Sequence, residues 1–334
     1  MGRIAIVGAG SWGTALGIVA GRAGHRVRLW SRNVEVVKAI NERHVNGIYL
    51  AEHSIPSEVE ATSELSEAVR DAEFVLLAAP SHVTRELLVR MLPCLQPLMI
   101  FVSATKGIEI ETGKRISEVV KDVLGERFEP RFVCLSGPSF ALEVAAGHPT
   151  AIVAAGNNLE DARHVQESLS FQNLRVYTNS DVAGTEIGGS VKNVMAVAAG
   201  MVAGLGLGTN SIAALITRGL AEISRFALAQ GARLETLMGL AGMGDLVLTC
   251  TGGLSRNRYV GQELGKGRQL EEIMSSMHEV AEGVKTTLAV YRLAQKLKVE
   301  MPITREVHAV LYEGKTVKDA ADALMLRPLR GEGE

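Results

Sequence analysis

Short apolar runs alternate with amphipathic ones along the first half of the chain. Ile4–Val7, Val27–Trp30, Phe74–Ala79, Met99–Ser103, Arg131–Leu135, Ala151–Ala155 and Leu174–Tyr177 read as strands, with a weaker one at Glu58–Thr62. Most are bounded by Gly, Pro, Ser or charged residues. Between them, apolar positions recur at helical spacing over Thr14–Ala23, Val34–Arg43, Val83–Leu92 and Thr112–Leu124. Near-continuous apolar strands separated by helices predict a parallel sheet covered on both faces. From about Asp181 the strand-like runs stop, and helical periodicity continues to Leu326. The pattern predicts an α/β domain over residues 1–180 and an all-α domain over residues 181–334.

The first helix of the second half, about Ala183 to Leu205, is rich in Ala, Val and Gly. Gly200 and Gly204 lie four apart, so another helix can come close on that face. The most apolar stretch, Val194–Leu207, is too short to span a bilayer and is bounded by Lys192 and Thr209-Asn210. A buried core helix is expected there.

The first strand breaks into Gly8-x-Gly10-x-x-Gly13, with Ser11 and Trp12 inside the motif. Strand, glycine turn, helix and second strand together are the context of a Rossmann-type dinucleotide site. Gly8 permits the tight turn, Gly10 admits a pyrophosphate and Gly13 lets the helix pack on the strand. Phosphates would sit at the helix N-terminus. An NAD-preferring site places a carboxylate about 20 residues after the glycines. This chain has Trp30-Ser31-Arg32 instead, and an arginine there suits a 2′-phosphate. NADP(H) is favoured, with NAD(H) the other cofactor.

Composition narrows the field. The 334 residues are 47% hydrophobic and 22% charged with net charge −2, and aromatics are only 4%. Neither charge nor stacking residues point to nucleic acid. The three cysteines, Cys94, Cys134 and Cys250, show no metal-ligand spacing. The histidines are scattered, so no metal is expected. Cysteine usage and an N-terminus running straight into the first strand fit a cytoplasmic protein.

Hydride transfer belongs to the nicotinamide, so the protein must supply an acid/base and hold the substrate. Lys192, in Gly188-Gly-Ser-Val-Lys-Asn193, has apolar neighbours that would lower its pKa; a solvated helix-end charge is the bland alternative. Lys106 follows the fifth strand, at the edge where such sheets bind ligands. Asp245 can either neutralise a lysine or cap a helix. Thr249-Cys-Thr-Gly-Gly-Leu-Ser-Arg-Asn257 has donors for an anion in Ser255, Arg256 and Asn257, although Arg256 could equally lie on the surface.

Read together, Gly8-Ala-Gly-Ser-Trp-Gly-Thr-Ala-Leu16, Ser136-Gly-Pro-Ser-Phe-Ala141, Gly188 to Asn193, Ala214 to Ile223, Gly244 to Thr251 with Ser255-Arg-Asn257, and Val280-Ala-Glu-Gly-Val284 closely resemble the bacterial-type NAD(P)-dependent sn-glycerol-3-phosphate dehydrogenases. The resemblance covers nearly the whole chain. It implies a 6-phosphogluconate-dehydrogenase-like pair of domains and reduction of dihydroxyacetone phosphate to sn-glycerol 3-phosphate for glycerophospholipid synthesis. It also implies a homodimer that is not an integral membrane protein. By resemblance, Lys192 is the proton donor/acceptor, and Lys106, Gly137, Ser139, Asp245, Ser255, Arg256 and Asn257 surround the substrate. Ser11, Trp12, Arg32 with Asn33 beside it, Lys106, Ala141, Arg256, Val280 and Glu282 match the cofactor contacts. The chain departs from the family at Asn33, where a basic residue is frequent, and at Thr209, where aspartate is frequent. No function is expected of the tail from Arg330.

Overall fold

A computed structural model describes residues 2–277, 281–329 and 331. The first half is an eight-stranded sheet: β1 (Arg3–Val7), β2 (Arg26–Trp30), β3 (Val59–Thr62), β4 (Phe74–Leu77), β5 (Ile100–Ser103), β6 (Arg131–Ser136), β7 (Thr150–Gly156) and β8 (Leu174–Asn179). Seven helices connect them: α1 (Ser11–Arg22), α2 (Val34–Arg43), α3 (Leu65–Val69), α4 (Ser81–Met91), α5 (Ile116–Leu124), α6 (Ala141–Ala146) and α7 (Leu159–Leu169). The strand order is β3-β2-β1-β4-β5-β6-β7-β8, and β1 to β6 are parallel. The chain therefore reverses direction in the sheet at β1/β4, the switch point where such folds bind ligands.

The sheet is not wholly parallel, contrary to expectation. β7 runs antiparallel to β6, with Ser136 opposite Val153, and β8 is parallel to β7. The β6–β7 connection is taken up by a loop and the six-residue α6, which stays at the carboxyl end of β6. With no crossover behind the sheet, β7 starts at that rim and runs back. The helix expected over Thr112–Leu124 is also shorter. Its first four residues form a turn in which the Thr112 hydroxyl donates to the Glu109 carboxylate (2.5 Å) and the Gly113 amide to the Glu109 carbonyl (2.9 Å).

The second half comprises α8 (Val182–Gly204), α9 (Thr209–Leu228), α10 (Leu234–Leu237), α11 (Asp245–Thr251), α12 (Arg256–Gly265), α13 (Leu270–Ser275), α14 (Glu282–Leu297), α15 (Pro302–Tyr312) and α16 (Val317–Met325). A π turn, Leu240–Gly244, leads into α11. Helix α8 is the axis of this half. Asp181 caps it through the Gly184 amide (2.8 Å), and its residues from Gly184 to Met201 are all buried. By length and composition α8 could cross a membrane, but it is the core around which the other helices pack. Gly200 and Gly204 admit α12 at backbone contact: a Cβ on Gly200 would lie 2.7 Å from the Gln262 amide nitrogen, and one on Gly204 2.7 Å from Gly265 Cα. That crossing fixes where the N-terminus of α12 stands.

Candidate active site

The glycine turn is built as its chemistry requires. Gly8 has φ +124°, and a Cβ there would meet the Ala78 carbonyl carbon at 2.9 Å, so only glycine fits. At Gly10 a Cβ would meet nothing within 4 Å, which leaves open space above the first turn of α1. Trp12 Nε1 is a buried donor with no hydrogen-bond partner. Open space, helix-start amides and an unsatisfied donor together fit a bound dinucleotide.

Gly137 makes a second sharp turn after β6 at φ +135°, with Ile152 Cα 2.9 Å from a would-be Cβ. Its carbonyl faces the rim and accepts from Lys106 Nζ (2.9 Å) and from the Ser139 hydroxyl (3.0 Å). Lys106 Nζ also donates to Asp245 Oδ2 (2.8 Å). The other carboxylate oxygen, Oδ1, accepts from Lys192 Nζ, which donates as well to Thr249 Oγ1 (2.8 Å). Asp245 is wholly buried, and Lys192 nearly so. One carboxylate is thus shared by two ammonium groups, one from each half of the molecule. Burial pushes the Lys192 pKa down to about 8, with Lys106 acting in the same direction and Asp245 opposing.

The remaining positions spread outward from this cluster. Ser255 caps α12 by accepting from the Arg258 amide (3.3 Å), Arg256 opens that helix on the surface, and Asn257 Oδ1 accepts from the Gly283 amide (2.9 Å). Glu282 reaches across the cleft to accept from the Ser81 amide (3.2 Å). Burial raises its pKa to about 7, while the Ser81 amide and the charges of Arg256, Lys106 and Lys192 oppose the rise. Ala141 is the first residue of α6. Arg32 is exposed just past the end of β2. Asn33 accepts from the Glu35 amide (2.9 Å) and caps α2. Val280 lies outside the described residues.

Two residues of the cluster were not among the expected site residues. Thr249 holds Lys192; it sits four residues after Asp245 on α11, a spacing that puts both on one face. Asn193 Nδ2 donates to the Lys106 carbonyl (3.3 Å), a contact between α8 and the sequence-distant loop after β5 that no local pattern announces. Among the described residues no His, Cys, Asp or Glu cluster could hold a metal ion.

A doubly wound sheet with a nucleotide turn, a helical half closing over it and a tuned lysine between them define a dinucleotide-dependent oxidoreductase. Comparison with known proteins agrees. Residues 3–162 match the N-terminal and residues 181–322 the C-terminal family profile of NAD-dependent glycerol-3-phosphate dehydrogenase. The chain is 57% identical to glycerol-3-phosphate dehydrogenase [NAD(P)+] of Koribacter versatilis and 48% identical to that of Citrifermentans bemidjiense, over 98% and 99% respectively of both chains. The crystal structure of glycerol-3-phosphate dehydrogenase from Coxiella burnetii superposes with a TM-score of 0.94 at 41% identity, covering 98% of this chain and 99% of that one. The chain belongs to the NAD(P)-dependent glycerol-3-phosphate dehydrogenase family. The family's reaction is the reduction of dihydroxyacetone phosphate to sn-glycerol 3-phosphate.

Proposed function

We propose that the cleft between the two halves holds dihydroxyacetone phosphate with its carbonyl toward Lys192 and its phosphate toward Ser255, Arg256 and Asn257. The observation that carries this reading is the Lys106–Asp245–Lys192 cluster. Two ammonium groups around one carboxylate leave one positive charge over, suited to an oxygen that gains negative charge. Two of the three Lys192 ammonium hydrogens go to Asp245 and Thr249, and the third can go to the substrate oxygen. A bound nicotinamide supplies the hydride. Lys192 then protonates the oxygen, Lys106 adds charge nearby, and Asp245 holds both. Gly137 and Ser139 form the wall behind. The phosphate contacts are remote from the reacting carbon, so their binding energy orients the ketone.

Gly8 to Gly13, Arg32, Asn33, Ala141 and Glu282 surround the cofactor in this reading, and Arg32 favours NADP(H) while NAD(H) is also used. The division falls near residue 180, with the helical half supplying the acid and the anion pocket. We further read the protein as a cytoplasmic homodimer that feeds glycerophospholipid synthesis.

The test is the pH dependence of both directions. Reduction needs protonated Lys192 and oxidation needs it neutral. The kcat/KM for glycerol 3-phosphate oxidation should therefore rise as pH passes about 8, and that for ketone reduction should fall over the same range. Profiles flat through that window would remove Lys192 from the proton transfer. Arg256→Ala should raise the KM for dihydroxyacetone phosphate about 10- to 100-fold with a smaller effect on kcat. An unchanged KM would place the phosphate elsewhere.

A further inference from the structure

One face of α8 is fastened to the nucleotide-binding half at three levels. Near its start, the buried Glu186 carboxylate accepts from the Ser117 amide (2.8 Å) and the Ser117 hydroxyl (2.5 Å) at the head of α5, and pairs with Arg115 (3.4 Å). One turn on, Gly189 lies against the Ser136 hydroxyl, with the Lys106 stem 3.8 Å from where its Cβ would be. A turn beyond that, Asn193 holds the Lys106 carbonyl. Positions 186, 189 and 193 share one helix face, and about 10 Å of helix separates the first from the last. Lys192 immediately precedes Asn193 and turns toward Asp245 and Thr249 on α11. Its ammonium is thus located by two anchors, one of them the Glu186 clasp.

Burying a carboxylate is costly, and an apolar contact would join the halves at least as firmly. A charged clasp offers directional hydrogen bonds that fix the position of α8 along its axis. We propose that Glu186 is a positioning residue for the reaction: its ionised carboxylate registers α8 on α5 and so sets the Lys192 ammonium against Asp245. The proposal rests on Lys192 being the proton donor. The titratable groups that face Glu186 are Arg115 and Glu118 at the head of α5 and Cys134 on β6. Burial pushes Glu186 up to about 7, Arg115 and the Ser117 contacts hold it down, and Glu118 adds to the rise. As pH falls through that value the carboxyl gains a proton, and the charge that Arg115 pairs with is lost.

Initial rates of NADPH-dependent ketone reduction from about pH 5 to about pH 10 decide the matter, with kcat and KM resolved separately. The wild-type kcat should fall on the acid side near pH 7 through Glu186 and on the alkaline side near pH 8 through Lys192. Glu186→Gln should lower kcat about tenfold at pH 8, leave the KM for NADPH within about twofold, and abolish the acid limb while keeping the alkaline one. Glu186→Asp should restore an acid limb. Ser117→Ala removes one hydrogen bond that favours the carboxylate, so its acid limb should move to higher pH. A Gln variant that keeps the wild-type acid limb or full kcat overturns the proposal. If that variant does not fold, an unmoved limb in Ser117→Ala overturns it instead. Absence of the alkaline limb from wild type counts against Lys192, while the acid limb still decides Glu186.

Discussion

Lys192→Met should lower kcat for dihydroxyacetone phosphate reduction by about 10²- to 10⁴-fold, the usual worth of a positioned general acid. The substitution removes the one buried ammonium that touches Asp245 from α8, yet Asp245 keeps its Lys106 partner at 2.8 Å. Methionine fills the apolar stem's space, and the fold should persist. NADPH affinity, followed by fluorescence titration, should change little, because the glycine turn and the first turn of α1 lie in the other half. Loss of turnover with retained cofactor binding is the expected signature. Turnover within about tenfold of wild type would show that another group or water delivers the proton.

Asp245→Asn should act on two quantities at once. The carboxylate raises the Lys192 pKa, opposing burial and Lys106. Without it, Lys192 should titrate below about 8, so the alkaline limb of reduction moves toward acid and kcat at neutral pH falls. The two ammonium groups also lose their shared counter-charge in a buried site. Removing one partner of a buried pair costs about 3–5 kcal/mol, and the cost shrinks at pH values where Lys192 sheds its proton. Urea unfolding midpoints measured on either side of the shifted limb should therefore converge toward wild type as pH rises. A limb that stays near pH 8, or a pH-independent stability loss, would separate Asp245 from the lysines.

What was legible in the sequence follows the range of the interactions. The nucleotide turn was readable because its strand, glycines and helix lie within a dozen or so neighbouring positions; Gly8 and Gly13 answer to close backbone contacts, and Gly10 leaves open space. The central helix was readable from its small residues, and Gly200 and Gly204 do meet α12 as their spacing implied. The lysine–aspartate pairing was only one of two options for Asp245, since it closes loops of 53 and 139 residues that no periodicity encodes. Thr249 could have been found from its spacing to Asp245. The reversal of β7 could not, because an apolar strand reads alike in either direction and only the short α6 distinguishes the two. Asn33 carries a local task that its position already suggests: its side-chain oxygen caps the start of α2.

That reversal has a consequence for how the molecule is assembled. Asn179, the last residue of β8, lies opposite Ala155, which lies opposite Cys134, so the chain leaves the sheet below the tip of β6. Val182 then packs with Cys134, Val153 and Ala155 before α8 passes Ser136 and delivers its lysine to the rim. The Lys192 ammonium is therefore mounted on a mast stepped in the nucleotide half and rigged by the helical one. Neither piece, cut at the join, would hold that ammonium in place: one would keep the footing and lose the lysine, and the other would keep the lysine with nothing to stand on.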